Sequence, residues 1–97
     1  MQDTVSIEGR VNIDNSGEMR EKLANALKPR PGEVTVDFSR LTFIETSGLA
    51  TLVEAYRIAR RQGTKLRLTG IHGQPRDLLA VTRLDEFFDI APEQQTA

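Results

Sequence analysis

Segments with the periodicity of strands alternate with segments with the periodicity of helices, and this alternation limits the fold of the chain most. In "TVSIEGRVNI", Val5, Ile7 and Val11 alternate with polar residues, which is typical of a half-buried strand. "SGLATLVEAYRIARRQG" instead repeats its apolar residues at helical spacing. The same reasoning predicts strands in "EVTVDFS", "TKLRLTGI" and "DEFFDI", and helices in "DNSGEMREKLANALK" and "QPRDLLAVTRL". "RLTFIE" is expected to be only partly extended.

This order, β-α-β-α-β-α with a short last strand, favours a largely parallel sheet with crossover connections. We therefore predict one small α/β domain with a mixed, mostly parallel sheet of about four strands and with three helices packed mainly on one face. The domain is expected to occupy residues 1–97, with its core in residues 4–90 and a polar tail in residues 91–97 that frays.

Composition removes several classes of function. The 97 residues include no cysteine, so disulfides, thiolate nucleophiles and cysteine-based metal sites are excluded. The formal net charge is −1, which gives no general electrostatic attraction to nucleic acid or to an anionic membrane. No apolar run approaches the roughly 20 residues that span a bilayer, and the start does not resemble a signal peptide. We expect a cytoplasmic protein without membrane insertion.

The stretch "FIETSG", residues 43–48, lies where an extended segment gives way to a helix. Ser47 has two interpretations: a helix N-cap whose hydroxyl accepts a backbone hydrogen bond, or a phosphorylation site at a helix N-terminus. Thr46 can take either role, and Glu45 can orient the turn, contact a partner or remain a solvated carboxylate. Gly48 has no side chain, so a partner's backbone could approach there.

The start of the first predicted helix also has a capping pattern. Asn15 and Glu18 have the spacing of a capping box, with asparagine in place of the usual serine or threonine, and Asp14 or Ser16 could be the cap instead. At the end of the central helix, Gly63 has the position expected of a C-terminal cap.

The residues that could act in catalysis or bind a metal have simpler structural explanations. His72 is the only histidine and lies in a turn-like stretch, and no GxSxG, Walker A or GxGxxG motif is present. Asp37 and Glu45 could form a carboxylate pair for Mg²⁺, but their spacing does not require one. The basic group "RIARRQGTKLR" suits the negative end of a helix dipole better than it suits nucleic acid. We expect no enzymatic activity, no cofactor and no metal.

The centre of the chain resembles a STAS domain of the bacterial anti-sigma factor antagonist family. The family pattern is a strand that ends in Asp-Leu-Ser, a short apolar approach, and Asp-Ser-Ser-Gly-Leu at the start of a helix. Here these parts read "DFS" at 37–39, "LTFI" at 41–44 and "ETSGL" at 45–49. "IEGRVNIDNSGEMREKL" and "GQPRDLLAVTRLDEFFDI" resemble the flanking elements, so the resemblance covers roughly residues 4–90.

The resemblance implies a function in partner switching, a form of signal transduction that regulates transcription. In the family, the serine before the glycine is phosphorylated by an anti-sigma factor that is a GHKL-type serine kinase, and a phosphatase reverses the modification. By motif position the acceptor is Ser47, or less favourably Thr46. The implied partner-binding residues come from two segments of the chain: Asp14, Asn15, Ser16, Glu45, Thr46, Gly48 and Leu49.

Two further expectations follow from the same resemblance. The alternative function is a STAS scaffold subunit, not phosphorylated, of an ABC-type lipid-transport complex, because some such domains carry threonine at the position of Thr46. The short ends of the chain leave a less protected sheet edge, through which two copies could form a homodimer.

Overall fold

The computed structural model describes residues 3–90, and the predicted polar tail 91–97 lies outside the described residues. Within residues 3–90 the elements are β1 (Asp3–Ser6), β2 (Gly9–Val11), α1 (Ser16–Leu27), β3 (Glu33–Asp37), β4 (Leu41–Ile44), α2 (Thr46–Gln62), β5 (Lys65–Thr69), α3 (Gly73–Val81), a 3₁₀ turn (Leu84–Glu86) and β6 (Asp89–Ile90). The predicted small α/β domain with three helices is confirmed.

The strands form two parallel sheets. The larger has the order β1-β3-β5-β6, and the smaller contains β2 and β4. All four strand pairs within residues 3–90 are parallel. Among the residues of β3 and β5, Val34, Val36 and Leu68 are completely buried, which places the centre of the core at the middle of the larger sheet.

The prediction of one strand over the first alternating segment was wrong, because the chain leaves the larger sheet after Ser6 and starts β2 at Gly9. Gly9 has a φ of 73°, a left-handed conformation that glycine adopts without steric cost. The neighbouring β3–β4 segment turns at the same place, where the Ser39 N–H donates to Asp37 Oδ1 at 2.9 Å. Residues 41–44, expected to be only partly extended, form β4.

The two bends are joined by backbone hydrogen bonds. The Ile7 N–H donates to the Asp37 carbonyl at 3.1 Å, and the Gly9 N–H donates to the Arg40 carbonyl at 2.9 Å. The β1–β3 pair therefore continues into the β2–β4 pair as one bent ribbon, with a register shift between Gly9 and Arg10. As a result β2 and β4 end side by side, where the chain enters α1 and α2.

The helices pack as their periodicity predicts. Met19, Leu23 and Leu27 of α1 are buried, and α1 packs against α2 and β1. Gly63 ends α2 with a φ of 79°, which confirms the predicted C-terminal cap. Within residues 3–90, no helix combines the length and the hydrophobicity needed to cross a membrane.

Gly48, in the first turn of α2, lies against the end of the smaller sheet. A Cβ atom at this position would be 2.7 Å from Val11 Cγ1 and 2.7 Å from Ile44 Cγ1. Valine and isoleucine are branched at Cβ and have little rotamer freedom with which to give way. The missing side chain of Gly48 therefore allows α2 to approach β2 and β4, and the space is filled by the protein itself.

The side-chain amide of Gln74 extends the hydrogen bonding of β4 into α3. The Ile44 N–H donates to Gln74 Oε1 at 2.8 Å, and Gln74 Nε2 donates to the Ile44 carbonyl at 2.8 Å. This pair of bonds satisfies both backbone polar groups of the last residue of β4, as a neighbouring strand would. It fixes the start of α3 beside the start of α2.

We predict that Gly48→Ala destabilises the protein by about 1–3 kcal/mol, because the added methyl group overpacks the contact with Val11 and Ile44. The matched control is Gly17→Ala, also in the first turn of a helix, where a Cβ atom would meet nothing within 4 Å. That control should leave stability unchanged or raise it by up to about 1 kcal/mol. Urea denaturation measures both, and equal stability of the two variants would contradict the packing assigned to Gly48.

We also predict that Gln74→Leu lowers the free energy of unfolding by about 1–3 kcal/mol, because the N–H and carbonyl of Ile44 lose their partners. Gln74→Glu is the control, since its carboxylate can still accept from the Ile44 N–H but cannot donate to the carbonyl. Amide hydrogen exchange should show lost protection of Ile44 in Gln74→Leu and retained protection in Gln74→Glu. Unchanged protection of Ile44 in Gln74→Leu would show that the two hydrogen bonds between Gln74 and Ile44 are not formed.

Candidate functional site

Two turns meet at the carboxyl ends of β2 and β4. Val11 and Ile44 are register partners, and the Glu45 N–H donates to the Val11 carbonyl at 2.9 Å. The β2–α1 turn, residues 12–15, therefore lies beside the first turn of α2. This adjacency brings together the two separate chain segments from which the predicted partner-binding residues come.

The β2–α1 turn is held by the side chains of two asparagines. Asn15 Oδ1 accepts from the Asn12 N–H at 2.8 Å, and Asn15 Nδ2 donates to the Arg10 carbonyl at 2.8 Å. Asn12 Oδ1 in turn accepts from the Asp14 N–H at 2.9 Å. The predicted capping box with Glu18 was wrong: Asn15 is the N-cap residue, but its side chain makes no capping hydrogen bond because it is directed back towards β2.

These bonds turn Ile13 and Asp14 towards solvent. Ile13 is 77% exposed, and Asp14 is also exposed, whereas Ser16 is only 9% exposed and belongs to the buried side of α1. Ile13 was not among the predicted site residues, because it continues the alternation of Val5, Ile7 and Val11 at the end of the predicted strand. That pattern places Ile13 on the apolar face of a strand, but β2 ends at Val11 and the turn that follows exposes it. An exposed large apolar side chain on a hydrogen-bonded turn is available for contact with another protein.

The first turn of α2 has no side-chain cap. The helix begins at Thr46, and Glu45 is the N-cap residue, with an extended backbone and no capping hydrogen bond from its side chain. The prediction that the Ser47 or Thr46 hydroxyl is the cap was therefore wrong. Within residues 3–90, the amides of Thr46 and Ser47 have no hydrogen-bond acceptor, while those of Gly48 and Leu49 donate to the Glu45 carbonyl.

The two hydroxyls of this turn differ in exposure. Thr46 is exposed, whereas Ser47 is half-buried and its Oγ atom is enclosed without a hydrogen-bond partner. Rotation about χ1 is the single torsion that moves Ser47 Oγ relative to the helix. Because the inward position makes no hydrogen bond, this rotation breaks none. An enzyme that modifies Ser47 needs the outward rotamer.

Gly48 and Leu49 lie beneath this surface. Leu49 is 7% exposed, and the Cβ position of Gly48 points at Val11 and Ile44. The expectation that Gly48 leaves room for a partner's backbone was wrong, because β2 and β4 occupy that side. The exposed predicted residues are Asp14, Glu45 and Thr46, and Asn15 is half-buried between them and the strand.

The residues considered for catalysis are dispersed. Asp37 Oδ1 accepts from the Ser39 N–H at the end of β3, so the Asp37 side chain stabilises the turn that follows its own strand. His72 is exposed at the start of α3, and its Nε2 is 3.0 Å from the Ser39 carbonyl oxygen. In the part of the chain that the structure describes, no three His, Cys, Asp or Glu side chains form a group that could hold a metal ion.

Comparison with known proteins places this geometry in a family. A family model described as "Mlab, STAS domain" matches residues 1–91. The intermembrane phospholipid transport system binding protein MlaB of Escherichia coli is 30% identical over 70 residues, which are 72% of this chain and 69% of that protein. The anti-sigma-B factor antagonist of Bacillus subtilis is 22% identical over 91 residues, covering 94% of this chain and 83% of that protein.

A solved structure shows the same fold. The crystal structure of an anti-sigma factor antagonist from Mycobacterium paratuberculosis superposes with a TM-score of 0.82 at 19% sequence identity, covering 93% of this chain and 76% of that one. The fold, the family model and the relatives agree with the resemblance carried by residues 37–49. This chain belongs to the STAS-domain family.

Proposed function

We propose that this STAS domain is a bacterial anti-sigma factor antagonist that acts in the cytoplasm as a binding protein and not as an enzyme. Its proposed partner is an anti-sigma factor that is also a GHKL-type serine kinase, and binding of that partner would free a sigma factor. The names of the Bacillus subtilis and Mycobacterium paratuberculosis relatives support this class of partner.

The observation that carries the proposal is the joining of two turns by the hydrogen bond from Glu45 to Val11. It creates one continuous surface, here called the docking face, which consists of Ile13, Asp14, Glu45 and Thr46. Ile13 supplies an apolar anchor, and the polar residues around it supply hydrogen-bonding groups, which is the usual arrangement of a protein–protein contact.

Phosphorylation of Ser47 is the proposed switch. With Ser47 in its outward rotamer, a phosphate would lie beside the free amides of Thr46 and Ser47 at the positive end of α2. It would add roughly −1.5 to −2 charges next to Glu45 and Asp14. A partner that docks against these carboxylates would then meet a larger negative charge, so the complex would dissociate until a phosphatase removed the group.

A second function is favoured by a different observation. Thr46, and not Ser47, presents its side chain at the surface, and the relative with the higher identity of the two is MlaB. In this alternative the docking face is a constitutive contact with the ATPase of a lipid-transport complex, and Thr46 is a contact residue. A homodimer through a sheet edge is proposed under either function, and β1 and β6 are the outer strands of the larger sheet.

Phosphate mapping tests the first function. We expect the purified chain, incubated with its kinase and ATP, to carry one phosphate on Ser47 in mass spectrometry. Ser47→Ala should abolish the modification and keep the stability of the fold, because it removes a buried hydroxyl that has no partner. Thr46→Val should still be modified. A phosphate on Thr46, or none at all, would exclude the proposed switch.

Affinity purification from native cells tests the docking face and separates the two functions. We expect Ile13→Asp to reduce recovery of the partner at least tenfold, because the apolar anchor is replaced by a third carboxylate. The matched control is Val81→Asp, since Val81 is also 77% exposed but lies at the end of α3. A serine kinase as the recovered partner supports the first function, and an ATPase subunit supports the second. Equal recovery with both variants would show that the docking face is wrongly placed.

A further inference from the structure

A groove with an aromatic floor lies between the second half of α2 and the segment that follows α3. Its cavity volume is about 320 Å³, within the range of roughly 300–1,000 Å³ that is usual for ligand sites. We call it the aromatic groove. It is lined by Val53, Tyr56, Arg57, Arg60, Leu84, Phe87 and Phe88.

Three rings form the floor and one wall. Tyr56 contacts Phe88 and Phe87 edge-to-face, with ring centroids 5.3 Å and 6.2 Å apart. Phe88 is 7% exposed and anchors this cluster in the core, whereas Phe87 is 57% exposed. The fold therefore holds a large apolar side chain in solvent against a rigid support, instead of burying it.

A second depression adjoins the first. It has a volume of about 260 Å³ and shares Tyr56, Arg60 and Phe87 with the aromatic groove. Tyr56, Arg60 and Phe87 thus border both cavities. Two adjoining cavities are suited to a chain segment that inserts two apolar side chains, one into each.

The rim of the groove is basic. Within residues 3–90, neither Arg57 nor Arg60 forms an ion pair with a carboxylate, and the Arg60 guanidinium donates a hydrogen bond only to the Tyr56 hydroxyl, with Nη1 3.4 Å from the oxygen. The nearby Asp89 is already paired with Lys65 at 3.2 Å. Two guanidinium groups therefore border an apolar floor without a negative partner from the described chain.

From this combination we infer that the aromatic groove binds an acidic amphipathic segment of a partner protein. Apolar side chains of the segment fill the two cavities, and its carboxylates pair with Arg57 and Arg60. Guanidinium groups bind carboxylates in bidentate geometry, which gives the contact its preference for acidic partners. Aromatic and arginine side chains are also the types that contribute most to protein–protein binding.

This surface is separate from the docking face. Tyr56 and Arg60 follow Thr46 by 10 and 14 residues on the same helix, and a rise of 1.5 Å per residue separates them by about 15 Å and 21 Å along the axis. The inference therefore does not depend on the proposed function. The residues after Ile90 match the groove poorly, since "APEQQTA" has one acidic residue and no large apolar side chain.

A peptide titration followed by NMR tests the inference. The probe is a synthetic 14-residue helix former with leucines along one face and glutamates beside them, and its counterpart has lysines in place of the glutamates. We expect the glutamate peptide to shift the amide signals of Val53, Tyr56, Arg57 and Phe87, and to bind at least tenfold more tightly than the lysine peptide. Equal affinities, or shifts confined to other regions, would overturn the inference.

Variants of the full chain make the test specific. Arg57→Glu combined with Arg60→Glu should reverse the preference towards the lysine peptide, and Phe87→Ala should weaken both peptides. Arg61→Glu is the matched control, because Arg61 is an exposed arginine of the same helix that does not line the groove. It should retain the wild-type preference, and an equal effect of Arg61→Glu would overturn the inference. So would binding seen only after removal of residues 91–97, since these residues would then be the occupant.

Discussion

The pairing of β2 with β4 is the contact on which the other features of the site depend. If β1 and β3 continued straight on in the larger sheet, they would end beside β5. The turns that follow β2 and β4 would then lie next to other residues. Because the ribbon bends at Gly9, β2 and β4 end side by side, and α1 and α2 therefore begin next to each other. Gly48 lets α2 approach that end closely, and Gln74 closes the open side of β4 with two hydrogen bonds. The starts of α2 and α3 are thus held against the end of a short two-stranded sheet, and α1 begins just after β2.

The same close approach explains why adjacent hydroxyls in α2 have different environments. Successive residues of a helix are rotated by about 100°, so residues 46, 47 and 48 cannot all face solvent. Gly48 faces the strands, Thr46 faces solvent, and Ser47 lies between them with its hydroxyl turned inward. Any modification of Ser47 is therefore coupled to a rotamer change, and that change breaks no hydrogen bond of the hydroxyl.

The sequence predicted the elements well where periodicity decides them. The apolar spacing of α1 and the alternation in β3 and β5 identify residues that the structure buries, whereas Val53 and Tyr56 of the predicted stripe on α2 are only half-buried. The bend at Gly9 was missed because Val5, Ile7 and Val11 keep their alternation through it, and only a backbone dihedral records the turn. The role of Asn15 was missed for a related reason: its amide can bond either to the helix or to the strand, and spacing along the chain does not distinguish the two. The hydrogen bonds of Gln74 join it to Ile44, which is 30 positions away in the sequence. The direction of the Ser47 hydroxyl depends on how α2 packs against β2 and β4. Local sequence patterns contain neither kind of information.

The near-zero net charge of the chain conceals an uneven distribution along α2. Glu45 is the N-cap residue of α2, where the helix dipole favours negative groups, and Asp14 lies in the β2–α1 turn beside it. Arg57, Arg60 and Arg61 lie towards the other end, where positive groups are favoured. Each group is thus compatible with the stability of the helix before any partner is considered. The dipole does not explain the exposure of Ile13 beside the acidic end or of Phe87 beside the basic end. An exposed apolar side chain next to charges of one sign adds selectivity for a partner of the opposite sign, and this combination occurs at both ends of α2, with opposite signs. The two ends of one helix can therefore border two surfaces that do not compete for the same class of partner.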